Sequence, residues 1–209
     1  AVAVGLVFGT AGMQDITVLD TGGSVRFDAS FNRGGDVVRL EGNAADWSIG
    51  RVGSSAVFTH GDTDVSIPVG TVGMAVVFDD GARLLRYVAA DATMRIGGQD
   101  FAAAAEPITA AADGTVLPGG GDPLVPARMF LAPEADVSVG GTVAIYGSSI
   151  SEHVALLAGN FQFDASFNRG GDTIEPGATA PRFTASRSGS HVVLQSHGID
   201  VLIPVGASP

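Results

Sequence analysis

The chain of 209 residues contains neither cysteine nor lysine. Without cysteine there is no disulfide framework, no thiolate metal ligand and no cysteine nucleophile. Without lysine, all 11 basic residues are arginine, and they face 22 acidic ones for a formal net charge of −11. That balance excludes nucleic-acid binding built on basic phosphate contacts, and it argues equally against an anionic membrane surface. Long hydrophobic runs are missing too. Apolar stretches such as those at residues 1–9 and 102–105 fall far short of the ~20 residues a membrane-spanning helix needs. The first residues carry no initiator Met and no basic segment, so they read as the start of a mature protein or excised fragment rather than a signal peptide. What the chain does have is glycine, at 30 positions, and 45% hydrophobic residues.

Those residues are arranged in a repeat. Phe27-Asp28-Ala29-Ser30-Phe31-Asn32-Arg33-Gly34-Gly35-Asp36 recurs unchanged as Phe163-Asp164-Ala165-Ser166-Phe167-Asn168-Arg169-Gly170-Gly171-Asp172, an offset of 136. The same offset brings Arg51, Gly53, Ser54 and Val57 onto Arg187, Gly189, Ser190 and Val193, and Ile67-Pro68-Val69-Gly70 onto Ile203-Pro204-Val205-Gly206. Upstream the match is looser: Gly5-Leu6-Val7-Phe8-Gly9 faces Val143-Ala144-Ile145-Tyr146-Gly147, and a one-residue slip sets Asp15 against Glu152. Long-period self-similarity of this kind governs the reading of a fold. The division expected is a first β module over 1–112, with repeat copy one at 1–70 and an extra hairpin over 71–99. A Gly/Pro-rich linker at 113–127 and a second module over 128–209, with copy two at 139–206, complete it.

Strand signals dominate. Alternation of apolar and polar residues over 24–28, 37–41, 47–51, 56–59, 65–67 and 183–187, each stretch bounded by Gly, Asp, Asn or Ser, predicts short half-buried strands. Asp79-Asp80-Gly81 predicts a hairpin turn, because Asp-Gly supplies the positive φ that tight turns need. Only the alanine-rich stretch 99–112 has the composition for a helical turn or two. The expected fold is all-β: two related β-sandwich or β-roll-like modules of short strands.

The repeated decapeptide places acidic and amide oxygens close together around a Gly-Gly turn, a donor set suited to a hard cation such as Ca²⁺. Candidate ligands are Asp28, Asn32 and Asp36 in copy one, and Asp164, Asn168 and Asp172 in copy two. The alternative is that the same residues only shape a turn, since Asp and Asn accept local backbone hydrogen bonds and an adjacent Arg can neutralise them. Trp47, the only tryptophan, is a candidate sugar-stacking residue, with burial in the core as the alternative.

The string Asn-Arg-Gly-Gly-Asp, followed by a hydrophobic pair, an aromatic at Trp47 or Phe183, Arg-x-Gly-Ser and Ile-Pro-Val-Gly, resembles repeat modules of large alphaproteobacterial surface proteins. These belong to the S-layer, RTX-like and biofilm-adhesin group exported by type I secretion. The resemblance covers about two-thirds of the chain, through both copies. It implies an extracellular, cell-surface location and a non-enzymatic, Ca²⁺-dependent role. The tandem Gly-Gly-x-Gly-x-Asp nonapeptides of a true RTX roll are absent from the chain.

Catalytic signatures are sparse. His60, His153, His191 and His197 are not repeated between the copies, no His-x-x-x-His pair occurs, and Gly-x-Ser-x-Gly is missing. The function expected is a structural or adhesive module that self-associates with copies of itself or with neighbouring repeats into a layer, filament or adhesin array. Copy two stops where the continuation of copy one begins, so it is either naturally abbreviated or cut from a longer array, and the expectation is a sheet edge or groove that a neighbouring molecule fills. The apolar segment of Ala1, Val2, Ala3, Val4, Leu6, Val7 and Phe8 is the candidate donor strand. A Ca²⁺-dependent carbohydrate-binding module is the alternative, and a secreted hydrolase the third reading.

Overall fold

The computed structural model describes residues 4–10, 12–31, 35–117, 126–169 and 171–206. Copy one supplies β1 (Val4–Phe8), β2 (Asp15–Val18), β3 (Gly23–Phe27), β4 (Val37–Leu40), β5 (Ser48–Val52), β6 (Ser55–His60) and β7 (Thr63–Pro68). Its continuation adds β8 (Met74–Phe78), β9 (Gly81–Val88), β10 (Thr93–Ile96), β11 (Gln99–Phe101) and β12 (Glu106–Pro107). The second half comprises β13 (Ala127–Leu131), β14 (Asp136–Tyr146), β15 (His153–Phe163), β16 (Thr173–Pro176), β17 (Thr184–Ser188), β18 (His191–Ser196) and β19 (Ile199–Pro204). The chain is all-β, and among the described residues helical structure is limited to 3-10 turns at Ala44–Asp46, Ala165–Arg169 and Ala180–Arg182. None of these could cross a membrane as a helix.

Period-2 alternation decides which way each strand faces. In β7 the odd residues Thr63, Val65 and Ile67 are buried while the residues between them are not, as expected of a sheet with one covered face. The chain winds in turns, each giving one strand to each of two columns. In copy one, β1, β3 and β7 run parallel in the first column, and β2, β4 and β8 run parallel in the second. In the second half, β13, β14, β15 and β19 form the first column and β14, β15 and β16 the second, again parallel. A hairpin excursion, β5–β6 in one copy and β17–β18 in the other, feeds antiparallel into β7 or β19.

Two glycines let β14 and β15 serve both columns. Gly141 (φ +95°) turns β14 at a register break, and a Cβ there would lie 1.8 Å from the Asp15 carbonyl oxygen. Gly159 (φ +148°) turns β15 against it, with the Gly141 carbonyl oxygen 1.9 Å from where a Cβ would sit. No side chain fits either corner.

The two halves do not sit apart. β1 pairs antiparallel with β13 and β2 with β14, so the sheet is continuous from one copy to the other. Its inward residues stack in unbroken rows. Phe27 neighbours Val7, Val7 neighbours Met129, Met129 neighbours Ile145, and Ile145 neighbours Phe163, all at most 2% exposed and in a single core cluster. Strands on either side of the stretch 113–127 thus share one sheet and one core cluster; residues 118–125 of that stretch lie outside the described residues.

The continuation after β7 contains the expected hairpin, β8–β9 with its turn at Asp79-Asp80, and extends it into a meander through β10 and β11. The stretch 99–112, the one place where composition allowed a helical turn or two, forms none. After β11, its residues run as a strap along β5, with Arg51 N–H donating to the Ala102 carbonyl (2.7 Å), β12 paired with β5, and Ile108 N–H donating to the Trp47 carbonyl (3.0 Å). Helix propensity loses here to a partner edge offering backbone hydrogen bonds. The Gln99 side chain fastens the strap further, its Oε1 accepting from the Thr109 N–H (2.7 Å) and the Ala110 N–H (3.1 Å).

Candidate functional site

The repeated decapeptide folds the same way twice. Asp28 N–H donates to the Val7 carbonyl (2.7 Å) and Asp28 Oδ1 accepts from the Ser30 N–H (2.8 Å). In copy two, Asp164 N–H donates to the Ile145 carbonyl (2.8 Å) and Asp164 Oδ1 accepts from the Ser166 N–H (2.8 Å). Behind each turn two phenylalanines pack at tilted angles, Phe27 with Phe31 at 4.7 Å and Phe163 with Phe167 at 4.6 Å. Hydrogen bonding from Ser166 holds the Asp164 carboxyl below the usual carboxylate range. An aspartate that accepts a hydrogen bond two residues on is an Asx-turn former, and the Phe pair is its hydrophobic anchor.

The second aspartate of each motif reaches across to another strand. Asp36 Oδ1 accepts from the Gln14 N–H (2.8 Å), and Asp172 Oδ1 accepts from the Glu152 N–H (2.9 Å). Each copy thus spends this carboxylate on the residue that precedes β2 or β15. Asn32, with Arg33 and Gly34, lies outside the described residues, as does the Asn168 side chain. Among the described residues, no three His, Cys, Asp or Glu side chains gather into a group that could hold a metal ion.

The structure also resolves the slip in the upstream alignment. Gln14, not Asp15, is the counterpart of Glu152, because both donate to the motif's second aspartate. Asp15 then corresponds to His153 and Arg39 to Glu175. The Asp15–Arg39 bidentate pair (2.8 Å) becomes a His153–Glu175 contact (3.2 Å), with the acid on the opposite strand. His153 is gripped from its other side by Asp136 (2.7 Å), and this hydrogen bond raises the imidazole pKa above its ordinary value.

Glu152 itself is only 2% exposed. Its Oε1 accepts from Ser148 N–H and Oγ, while Oε2 and Asp172 Oδ2 are buried with no hydrogen-bond partner other than each other. Burial, reinforced by the Asp172 carboxylate, pushes the Glu152 carboxyl above its usual range. Two buried carboxyl groups facing each other are costly to charge together, which favours the neutral acid at Glu152. Gln14 in copy one places an uncharged amide at the same position. Glu134, Asp136, Glu152, His153 and Thr173 border an open cleft of about 370 Å³. Sequence reasoning did not reach this cluster; the one available signal was the Gln14/Glu152 difference, hidden by the slip.

Trp47 is not a surface platform. It is 1% exposed, with its indole N–H donating to the Glu41 carbonyl (2.8 Å), and so belongs to the core. A different aromatic row does reach the surface: Phe8 meets Phe130 edge-on at 5.4 Å and Phe130 stacks on Tyr146 at 4.5 Å, across three adjacent strands. With Leu6 and Arg128, Phe8 and Phe130 border a cavity of about 510 Å³.

The donor-strand role expected of the first residues does not match their place in the sheet. Ala1, Val2 and Ala3 lie outside the described residues, whereas Val4, Leu6, Val7 and Phe8 belong to β1, which has β3 on one side and β13 on the other. A strand paired on both edges has no main-chain groups left to offer a neighbour.

His60 sits against Asp20 (2.7 Å) and beside the Trp47 ring. The chain matches no protein-family model, and no curated protein matches it.

Proposed function

We propose that the chain is a non-enzymatic extracellular structural or adhesive module that associates through strand edges. The observation that carries this reading is the joint inside the molecule. Two copies of one winding unit are already fused edge to edge by β1–β13 and β2–β14 into a continuous sheet. A unit built to be joined in this manner offers main-chain hydrogen bonds and a continuing core, the ordinary logic of stacked repeats. The absence of lysine and cysteine and the net charge of −11 suit a surface exposed to oxidising surroundings.

The test is sedimentation velocity over a wide concentration range, with electron microscopy of the concentrated protein. Reversible growth into oligomers or filaments is the expected result, and a monomer at every concentration would refute the self-association. The Ca²⁺ part of the reading rests on the Asp28 and Asp164 turns and is tested by melting in Ca²⁺ and in chelator. A bound cation adds RT ln(1 + [L]/Kd) to stability, so an unchanged Tm removes Ca²⁺ from the proposal. A second reading, glycan binding, draws its support from the Phe8–Phe130–Tyr146 row; an array without hits would sink it, and hits retained in Phe130→Ala would detach it from this row.

A further inference from the structure

Among the described residues the two copies differ in which of their strands are paired on both edges, and the first shows what fits the second. In copy one, β4 is paired on both sides, by β2 and β8, and β5 by β6 and β12. In copy two, β16 pairs only with β15 and β17 only with β18 among the described strands. The side chains follow the backbone. Val38, Trp47, Ala56, Phe58 and Ile67 are at most 1% exposed, whereas their counterparts Ile174, Phe183, Val192, Leu194 and Ile203 are all half-buried, and every residue of β17 is exposed. What closes copy one is β8, running parallel to β4 with Val76 opposite Val38 and Phe78 packed against Phe58 at 6.3 Å.

We propose that the open end of copy two, the outer edge of β16 with the apolar strip of Ile174, Leu194 and Ile203, is an acceptor for one additional parallel turn of the β8–β9 type. The occupant is thus a short, continuously apolar strand like Met74–Phe78, turned back by an Asp-Asp-Gly hairpin. This rests on the modular reading above and names its joint. Three details fix the occupant's chemistry. The chain leaves β19 along the same path on which it leaves β7, with Val205 N–H donating to the Ser190 carbonyl (2.8 Å) as Val69 N–H does to the Ser54 carbonyl (2.9 Å). The register that joins β4 to β8 uses Val37, Val38 and Arg39; their counterparts Thr173, Ile174 and Glu175 all keep an N–H, and the proline of β16 falls one residue later, at Pro176. The strap, in contrast, is not part of the fit. It passes over Gly50 so closely that a Cβ would lie 3.3 Å from Ala105 Cα, and the counterpart of Gly50 is Ser186. The occupant therefore covers β16 and the β18–β19 face and leaves β17 without a close-fitting strap.

The experiment offers the full chain a synthetic peptide of residues 69–112 in trans and follows hydrogen exchange by mass spectrometry. Binding with about tenfold or greater slowing of exchange over 173–176 and 191–196 is expected, together with its loss in Ile174→Asp, a change at a half-exposed position. Should the peptide prove insoluble, residues 71–112 grafted after Gly206 give a second route, for which a raised Tm and the same protection are expected. No protection at β16 by either route overturns the proposal, as does a concentration-dependent protection of β17 alone, which would make a second copy's edge the occupant. Assembly of the chain with no protection of β16 by either the peptide or the graft refutes this joint while leaving the modular reading intact. Peptide capture by a chain that stays monomeric at every concentration does the reverse.

Discussion

At the scale of single residues, Glu152 is where the two copies diverge most sharply in chemistry. Its folded pKa is raised, burial being the larger cause and Asp172 the next. The folded state therefore holds a proton that the unfolded chain releases above about 4.3. The stabilisation is complete below that value and is lost as pH rises through the folded pKa. His153, raised by Asp136, adds the same sign at higher pH: its contribution is full below about 6.5 and disappears as pH rises through the folded value. Asp80, Asp100 and Asp164 work in the opposite sense, since their lowered values remove stability only as pH falls through them. Stability should accordingly peak in weakly acid solution and decline towards neutrality. Glu152→Gln, which installs the residue already accepted at position 14, is expected to raise Tm by about 2–4 °C near neutral pH, equivalent to on the order of 1 kcal/mol. The same change should flatten the lower part of the pH profile. A neutral-pH Tm equal to or below that of the parent chain would show that Glu152 is charged in the fold.

At the scale of elements, strands were legible because alternation survives in short pieces such as 63–68, and the β8–β9 turn because Asp-Asp-Gly has few other uses. The strap was not legible, since an alanine-rich segment reveals nothing of the β5 edge that claims its backbone. Trp47 carried two readings that alternation alone could not separate; its indole bond to the Glu41 carbonyl fixes it inside. Nothing in the sequence pattern singles out Arg83. It is 3% exposed, forks onto both oxygens of Asp80 (2.9 and 2.8 Å), donates from Nε to the Ala110 carbonyl (2.8 Å) and lies over the Phe78 ring. Asp80 Oδ1 in turn accepts from the Ala44 N–H (3.2 Å), so one buried cation binds the hairpin, the strap and the β4–β5 turn together. Arg83→Ala is expected to lower stability by on the order of 2–3 kcal/mol, the worth of lost charge-assisted hydrogen bonds. It should appear as a lower urea midpoint with an unchanged slope. Arg83→Lys should recover less than half, because an ammonium cannot make the planar fork. A loss within about 0.5 kcal/mol for Arg83→Ala, the range of ordinary surface changes, would mean that the strap is held by its backbone alone.

At the scale of the whole molecule, the decisive contacts are those that sequence could not announce. Repeat arithmetic separates two copies, but pairing between β1 and β13 joins residues more than a hundred positions apart, and nothing local encodes it. The joint carries core as well as hydrogen bonds: Val7 is 1% exposed and Met129 2%, and they are neighbours across it. A shared core makes the halves one cooperative unit, whereas two modules on a Gly/Pro linker would unfold separately. Calorimetry should therefore show a single transition whose van't Hoff and calorimetric enthalpies agree. Val7→Asp, which buries a charge in the joint, should lower that one transition and speed exchange on both sides of it, in β3 and in β14. The chain with Val7 intact, cleaved at a protease site engineered within 118–125, should still migrate as one particle, since the strands rather than the covalent connection hold the halves. Two resolved transitions, or fragments that separate without denaturant, would return the molecule to two independent modules and make the β1–β13 pairing incidental to its stability.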